Sequence, residues 1–118
     1  EFFANQSNQS LLFESVRSDF ENDPRVDLVR ESSSYAVNKF TDESLDFVFI
    51  DGEHSYDAVV QDLEIWWPKI RYRGLMVADD YKLQWPGVMQ AALEFSLTHK
   101  IPTRELENGQ LIFFKTSK

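Results

Sequence analysis

The run Leu45-Asp46-Phe47-Val48-Phe49-Ile50 constrains what this chain can fold into more than any other segment. Nearly continuous β-branched and aromatic side chains, bounded by polar residues, predict a strand buried on both faces, as inside a parallel sheet. A central position in the sheet is therefore expected. A second run, Gly74-Leu75-Met76-Val77-Ala78, has the same character and ends in Asp79-Asp80-Tyr81. Between the two, Val59, Leu63, Trp66 and Ile70 share one face at helical spacing, which predicts a helix from Tyr56 to Trp67 that Pro68 disturbs. Two buried strands joined by a helix define a right-handed parallel crossover.

The flanking segments extend this pattern. Residues 1–7 are a ragged polar entry segment, and Leu12, Phe13, Val16 and Phe20 predict a helix over residues 8–21 that Asn22-Asp23-Pro24 stops. Val26 to Val29 is a short strand candidate. A helical stretch from Tyr35 to Phe40 follows, with Ser33 or Ser34 as its cap. After the second buried strand, Pro86 suits a first helical turn, and Val88, Ala91, Ala92 and Phe95 line a helix to about Lys100. Asn108-Gly109, between Thr103–Glu107 and Gln110–Lys115, signals a tight hairpin. The expectation is one α/β domain over residues 1–118, with a mostly parallel sheet and a C-terminal antiparallel hairpin.

Composition narrows the functions such a domain can serve. The 118 residues are 42% hydrophobic and 14% aromatic, which excludes a disordered chain. The net charge of -8 and the lack of any Lys/Arg cluster argue against nucleic acid as a partner. The absence of cysteine removes disulfides, thiolate metal sites and cysteine nucleophiles. No apolar run approaches the roughly 20 residues of a membrane span, so no membrane partner is expected, and the expected location is the cytoplasm. The four glycines, at 52, 74, 87 and 109, leave the first 51 residues with none.

In open parallel sheets ligands bind beyond the carboxyl ends of the strands. Asp51 ends the first apolar run, and Asp79 and Asp80 end the second. On neighbouring strands these three hard-oxygen ligands suit one Mg²⁺ or another divalent cation. Strand-end Asp residues also cap the helices that follow, as Asp51 or Ser55 could for the helix at Tyr56, and both readings stand at this point. His54, in the loop after Asp51, titrates near enough to neutrality to take a proton from a substrate hydroxyl, or is simply a loop histidine bonded to backbone. His99, near a helix C-terminus, fits a surface position. Tyr56, Tyr81 and Trp85 flank these loops as a substrate wall or as core filling.

The string Phe49-Ile50-Asp51-Gly52-Glu53-His54-Ser55-Tyr56, with Val60, Asp62-Leu63 and Trp67-Pro68, resembles the class I S-adenosylmethionine-dependent methyltransferases. The similarity is to the group whose fourth strand ends in an Ile-Asp-Gly-Asp-His-Ser-Tyr type motif. It continues through Arg73-Gly74-Leu75-Met76-Val77-Ala78-Asp79-Asp80-Tyr81 and the Pro86-Gly87-Val88 helix start, and spans about residues 24–118. The resemblance implies a Rossmann-like fold with S-adenosylmethionine as cofactor. It also implies a divalent ion on Asp51, Asp79 and Asp80, and His54 as the base for O-methylation of a hydroxylated small molecule. A hydroxyl bound to such an ion ionises more easily and attacks the sulfonium methyl. The segment after the third strand, with Glu31, Ser32 and Ser33, is implied to lie against the cofactor together with Asp51, and Ser32 is the best candidate contact.

Two features of the family have no counterpart here. Its first strand leads into a Gly-rich turn, and its second ends in an acid that holds the ribose. The glycine-free first 51 residues therefore predict a truncated fold, the C-terminal part of a methyltransferase, weakly active or inactive with weak cofactor binding. In the family the fourth strand pairs with the first, so Leu45–Ile50 would present an unpaired apolar edge. That edge is expected to be covered by the strand at Val26 or by a second copy, giving a homodimer. The alternative function is a non-catalytic regulatory module with a receiver-like acidic site. In such receivers, however, the Asp pair follows the first strand, and Lys82 is a loose match to the required lysine. A metal-dependent hydrolase is disfavoured, because no second base or nucleophile accompanies His54.

Overall fold

The computed structural model describes residues 6–117, with side chains from residue 11 onward. These residues divide between Ser32 and Ser33 into two compact units. The first unit contains helix α1 (Gln6–Phe20) and an irregular segment to Ser32. The second contains α2 (Ser33–Ala36), β1 (Leu45–Ile50), α3 (Tyr56–Trp66), β2 (Ile70–Ala78), α4 (Pro86–Thr98), β3 (Thr103–Leu106) and β4 (Gln110–Phe114).

The sheet has the order β1-β2-β4-β3. β1 and β2 run parallel, with Phe49 beside Val77 and Ile50 beside Ala78. β4 is antiparallel to both β2 and β3, closing the sheet with the hairpin that Asn108-Gly109 foretold. Gly109 sits at φ 87°, in the left-handed region that L side chains avoid, and the Lys82 stem packs where a Cβ would project.

α3 and α4 cover one face of the sheet. Val59 and Leu63 from α3, and Val88, Ala91, Ala92 and Phe95 from α4, meet Ile50, Met76, Ala78, Leu111 and Phe113 in a single core. Phe113 and Phe95 pack edge to face with Trp67, their ring centroids about 6 Å apart. Helical period on α3 and α4 and strand period on β2 and β4 thus point at the same layer.

Three expectations are corrected. First, β1 is not central but lies at the edge of the described sheet, with Phe47 50% and Phe49 43% exposed. Its apolar character fits burial on two faces, but α3 and α4 cover only the face that carries Val48 and Ile50. Second, Val26 to Val29 form no strand. Asp23 draws the chain into a turn there: its carbonyl accepts from the Val26 amide and its carboxylate pairs with Arg25, while the polar Asp27 interrupts the run. The free edge of β1 therefore has no strand from that segment. Third, β2 begins at Ile70 rather than Gly74, because Arg71-Tyr72-Arg73 enter the ladder as a bulge between the pairs Leu45–Ile70 and Phe47–Leu75. Arg73 takes a φ of 71° there, and Arg71 is paired with Asp46 at 2.6 Å.

Smaller boundary differences have local causes. The stretch expected at Tyr35–Phe40 starts at Ser33 and tightens into a 3-10 turn at Val37–Lys39. Pro68 ends α3 and leaves a 3-10 turn over Trp67–Lys69. Among the described residues no helix is long and apolar enough to cross a membrane.

Candidate functional site

The parallel pairing of Ile50 with Ala78 brings the carboxyl ends of β1 and β2 side by side, and the Asp79 amide continues the ladder by donating to the Ile50 carbonyl at 3.0 Å. Asp51 and Asp79 therefore leave the sheet as neighbours. Asp80 follows at φ 59°, a left-handed conformation that Asp tolerates better than most residues. In a regular strand, successive side chains point to opposite faces. The left-handed turn breaks that alternation, so each of the carboxylates of Asp51, Asp79 and Asp80 offers an oxygen within 4.8 Å of the others.

The cap reading of Asp51 does not hold. Ser55 is the N-cap of α3, and its hydroxyl accepts from the Ala58 amide at 3.3 Å. Asp51 is left facing Asp79 and Asp80. Burial and then the two neighbouring carboxylates push its pKa up, and only His54 pulls the other way.

His54 joins this cluster, with Nε2 2.6 Å from Asp80 Oδ2. Its ring stacks on Trp85, with centroids 3.8 Å apart and planes 26° from parallel. The loop that carries it is held close to the start of α4: at Gly87 a Cβ would stand 2.8 Å from the Tyr56 amide nitrogen and 3.1 Å from the His54 carbonyl oxygen. Only glycine permits that approach. Together the acids and His54 rim a cleft of about 10 Å³ over Ile50, Val59, Ala78 and Val88, enough for one water-sized sphere.

The flanking aromatics divide in role. Tyr81 is core, buried beneath the loop, and its amide donates to the Gly109 carbonyl. Tyr56 donates to Glu94 across the α3–α4 interface. Trp85 stacks on a candidate site residue, His54. His99 is at the surface, 3.4 Å from Glu64.

The candidate cofactor contacts are not all in one unit. Asp51 and Ser33 belong to the second, Glu31 and Ser32 to the first. Within the first, Glu31 and Ser32 line an open hollow of about 470 Å³ with Leu12, Phe13, Val16 and Leu28. Ser33 is engaged within its own unit: its hydroxyl accepts from the Trp66 indole and bonds Asp62, whose carboxyl burial pushes up.

Two further residues neighbour the cluster: Gln110, which escaped sequence reasoning, and Lys82, which entered it only as a loose match to a receiver lysine. Gln110 Nε2 donates to Asp79 Oδ1 at 3.4 Å, and Lys82 Nζ stands 3.9 Å from Asp80 Oδ1. Gln110 arrives there because β4 pairs Leu111 with Ala78. The hairpin turn was visible in the sequence, but the identity of the strand it returns beside was not.

The family model described as "Methyltransferase domain" matches residues 3–81. No curated protein sequence matches significantly. Solved structures do match: a structural-genomics protein from Corynebacterium glutamicum has a TM-score of 0.70 at 15% identity, over 97% of this chain and 58% of its own. The O-methyltransferase NovP has a TM-score of 0.69 at 19% identity, over 88% of this chain and 45% of its own. A candidate caffeoyl-CoA O-methyltransferase from Staphylococcus aureus has a TM-score of 0.69 at 15% identity, over 94% of this chain and 61% of its own. The chain thus spans roughly half to three fifths of the length of these neighbours. At these identities the likeness is one of fold, a Rossmann-like α/β arrangement with a mixed sheet.

Proposed function

Because this chain belongs to the methyltransferase-domain family, we propose that it serves S-adenosylmethionine-dependent O-methylation of a hydroxylated small molecule, with a divalent cation held by Asp51, Asp79 and Asp80. The observation that carries this reading is the convergence of three carboxylates within 4.8 Å, beside a histidine aimed at one of them. The donor set fits such an ion. All three ligands are hard oxygens, and Asp51 carries an excess of neighbouring negative charge that a cation relieves. Once bound, the cation supplies Lewis acidity that lowers the pKa of a coordinated hydroxyl.

The chain's own residues do the rest. His54, stacked on Trp85, donates Nε2–H to Asp80, so the nitrogen that would take the proton of a substrate hydroxyl is Nδ1. Trp85 holds the ring plane, and Gly87 holds the loop. Gln110 orients the Asp79 carboxylate by donating to it. On the cofactor side, Glu31 and Ser32 offer polar groups in the hollow of the first unit, while Ser33 acts by anchoring α2 to Trp66.

We further propose that the free edge of β1 is paired with a second copy of the chain, since an exposed apolar strand edge otherwise invites non-specific association. Support comes from the exposure of Phe47 and Phe49 and from the absence of a strand at Val26 to Val29 among the described residues. Calorimetric titration with Mn²⁺ tests the ion site. Saturable one-to-one binding that is lost in Asp79→Asn supports the reading, and no heat, or heat unchanged in the variant, refutes it.

A further inference from the structure

The opposite end of the sheet carries a second hollow, of about 320 Å³. It lies between the 3-10 turn at Trp67, the segment from His99 to Pro102 that leaves α4, and the end of β4. β2 runs nine residues from Ile70 to Ala78, so roughly 25–30 Å of strand separates this hollow from the acidic cluster. The two sites share no residue.

The charge of this hollow runs against that of the chain. Among the described residues His99, Lys100 and Lys115 line it and no acid does, although Glu43 and Asp42 act on Lys115 and Glu64 on His99 from outside the hollow, in a sequence with net charge -8. Two of these bases have an ordinary explanation. His99 and Lys100 follow the C-terminus of α4, where positive charge complements the helix dipole. Lys115 follows β4 and caps the carbonyl end of the 3-10 turn at Trp67–Lys69 from another element. It is only 7% exposed, and its ammonium donates to the Trp67 carbonyl at 2.9 Å and the Ile70 carbonyl at 2.7 Å. An ammonium has three donors, and these carbonyls take two. Burial lowers the Lys115 pKa by more than the nearby Glu43 and Asp42 raise it, and an anion in the hollow would offset the remaining desolvation.

The remaining walls are apolar. Trp67, Ile101 and Phe114 frame the space, and the Trp67 ring already lies 5.3 Å from the Lys115 ammonium. The volume is at the low end of the roughly 300–1,000 Å³ of small-molecule pockets and admits one ring with a short substituent. We propose that this hollow binds a small aromatic carboxylate, with its ring against Trp67 and Phe114 and its carboxylate toward Lys115 and Lys100. Stacking and a charge-assisted hydrogen bond are the two interactions these walls offer. The proposal is independent of the methylation reading, since it uses none of those residues.

Amide and indole NMR shifts of the ¹⁵N-labelled chain, titrated with benzoate, test it. Saturable shifts are expected at the Trp67 indole, Lys100, Ile101 and Thr116. Neutral benzamide, of the same shape, should bind about tenfold more weakly. Lys115→Met and Lys100→Asn should each weaken benzoate several-fold. The second variant keeps the fold testable if the first is destabilised, because Asn suits the φ of 55° at position 100. Four results would overturn the proposal: benzamide binding as tightly as benzoate, inorganic phosphate binding as tightly as benzoate, no saturation by about 20 mM, or undiminished benzoate binding in Lys100→Asn.

Discussion

Replacing Asp51 by Asn should make the metal-free protein more stable. Two carboxylates at the outer limit of 4.8 Å for this cluster repel by about 0.9 kcal/mol at the dielectric of water and about 3.5 kcal/mol at the effective value for partly buried pairs. Asp51 is exposed as a residue and its carboxyl only partly desolvated, so the lower figure applies, and His54 offsets part of the Asp80 charge. A net gain of about 1 kcal/mol follows for Asp51→Asn, or roughly 4–8 °C in Tm for a domain of this size. The pH dependence fixes the sign. The Asp51 carboxyl has its pKa raised in the folded state by burial, Asp79 and Asp80. Its stabilising contribution is therefore present at acid pH and lost as pH rises through the folded value. The advantage of the variant should be full at pH 7 and vanish below about pH 4, where the carboxyl is protonated in both states. Thermal unfolding by circular dichroism in EDTA measures it. With Mn²⁺ at 100 times its Kd, the wild type gains about 2.7 kcal/mol and should overtake the variant. A variant that melts below the wild type in EDTA at pH 7 would sink the argument, because Asp51 would then stabilise the fold without any ion.

Two other outcomes bear on the same architecture. Gly87→Ala places a methyl 2.8 Å from the Tyr56 amide nitrogen, so the loop carrying His54 must move away from α4; a loss of about 1–3 kcal/mol in urea unfolding is expected, with weaker Mn²⁺ binding. Self-association through β1 should appear in light scattering as a mass that grows with concentration, and Phe47→Lys, which puts a charge on that edge, should hold the chain monomeric. A wild type that stays monomeric at all concentrations would remove the edge pairing.

Much of this molecule was legible in its sequence because the relevant signals are local. The helical spacing of Val59, Leu63 and Trp66, the Pro86 start and the Asn108-Gly109 turn each report on a single element, and each element formed close to where expected. The candidate site was legible for the same reason: two apolar runs end in acids, and parallel pairing brings such ends together. What escaped depends on pairing between distant segments. The apolarity of β1 shows that its residues seek cover, but not which neighbours supply it, so its own pattern pointed to a central strand and only the resemblance pointed to the unpaired edge that the sheet order shows. Arg71 to Arg73 look like a loop by composition, yet pairing with β1 draws them into the ladder as a bulge. Gln110 came beside Asp79 through β4, a register that no nearby residue announces.

The left-handed backbone at Asp80 carries a consequence for sequence drift. On the proposed ion site, position 80 meets two demands, one for a carboxylate and one for a residue that tolerates φ near 59°. Glu keeps the charge but loses the local hydrogen bonding that eases this conformation, and Asn keeps the conformation but loses the charge. A chain that gives up ion binding while keeping its fold can therefore move most easily from Asp to Asn or Gly at this position. A lineage that still needs the ion has almost nowhere to go. Position 79, with its amide in the ordinary ladder, is free of the second constraint. Among related chains, the second acid of the pair should thus be the more telling mark of whether the site is still in use.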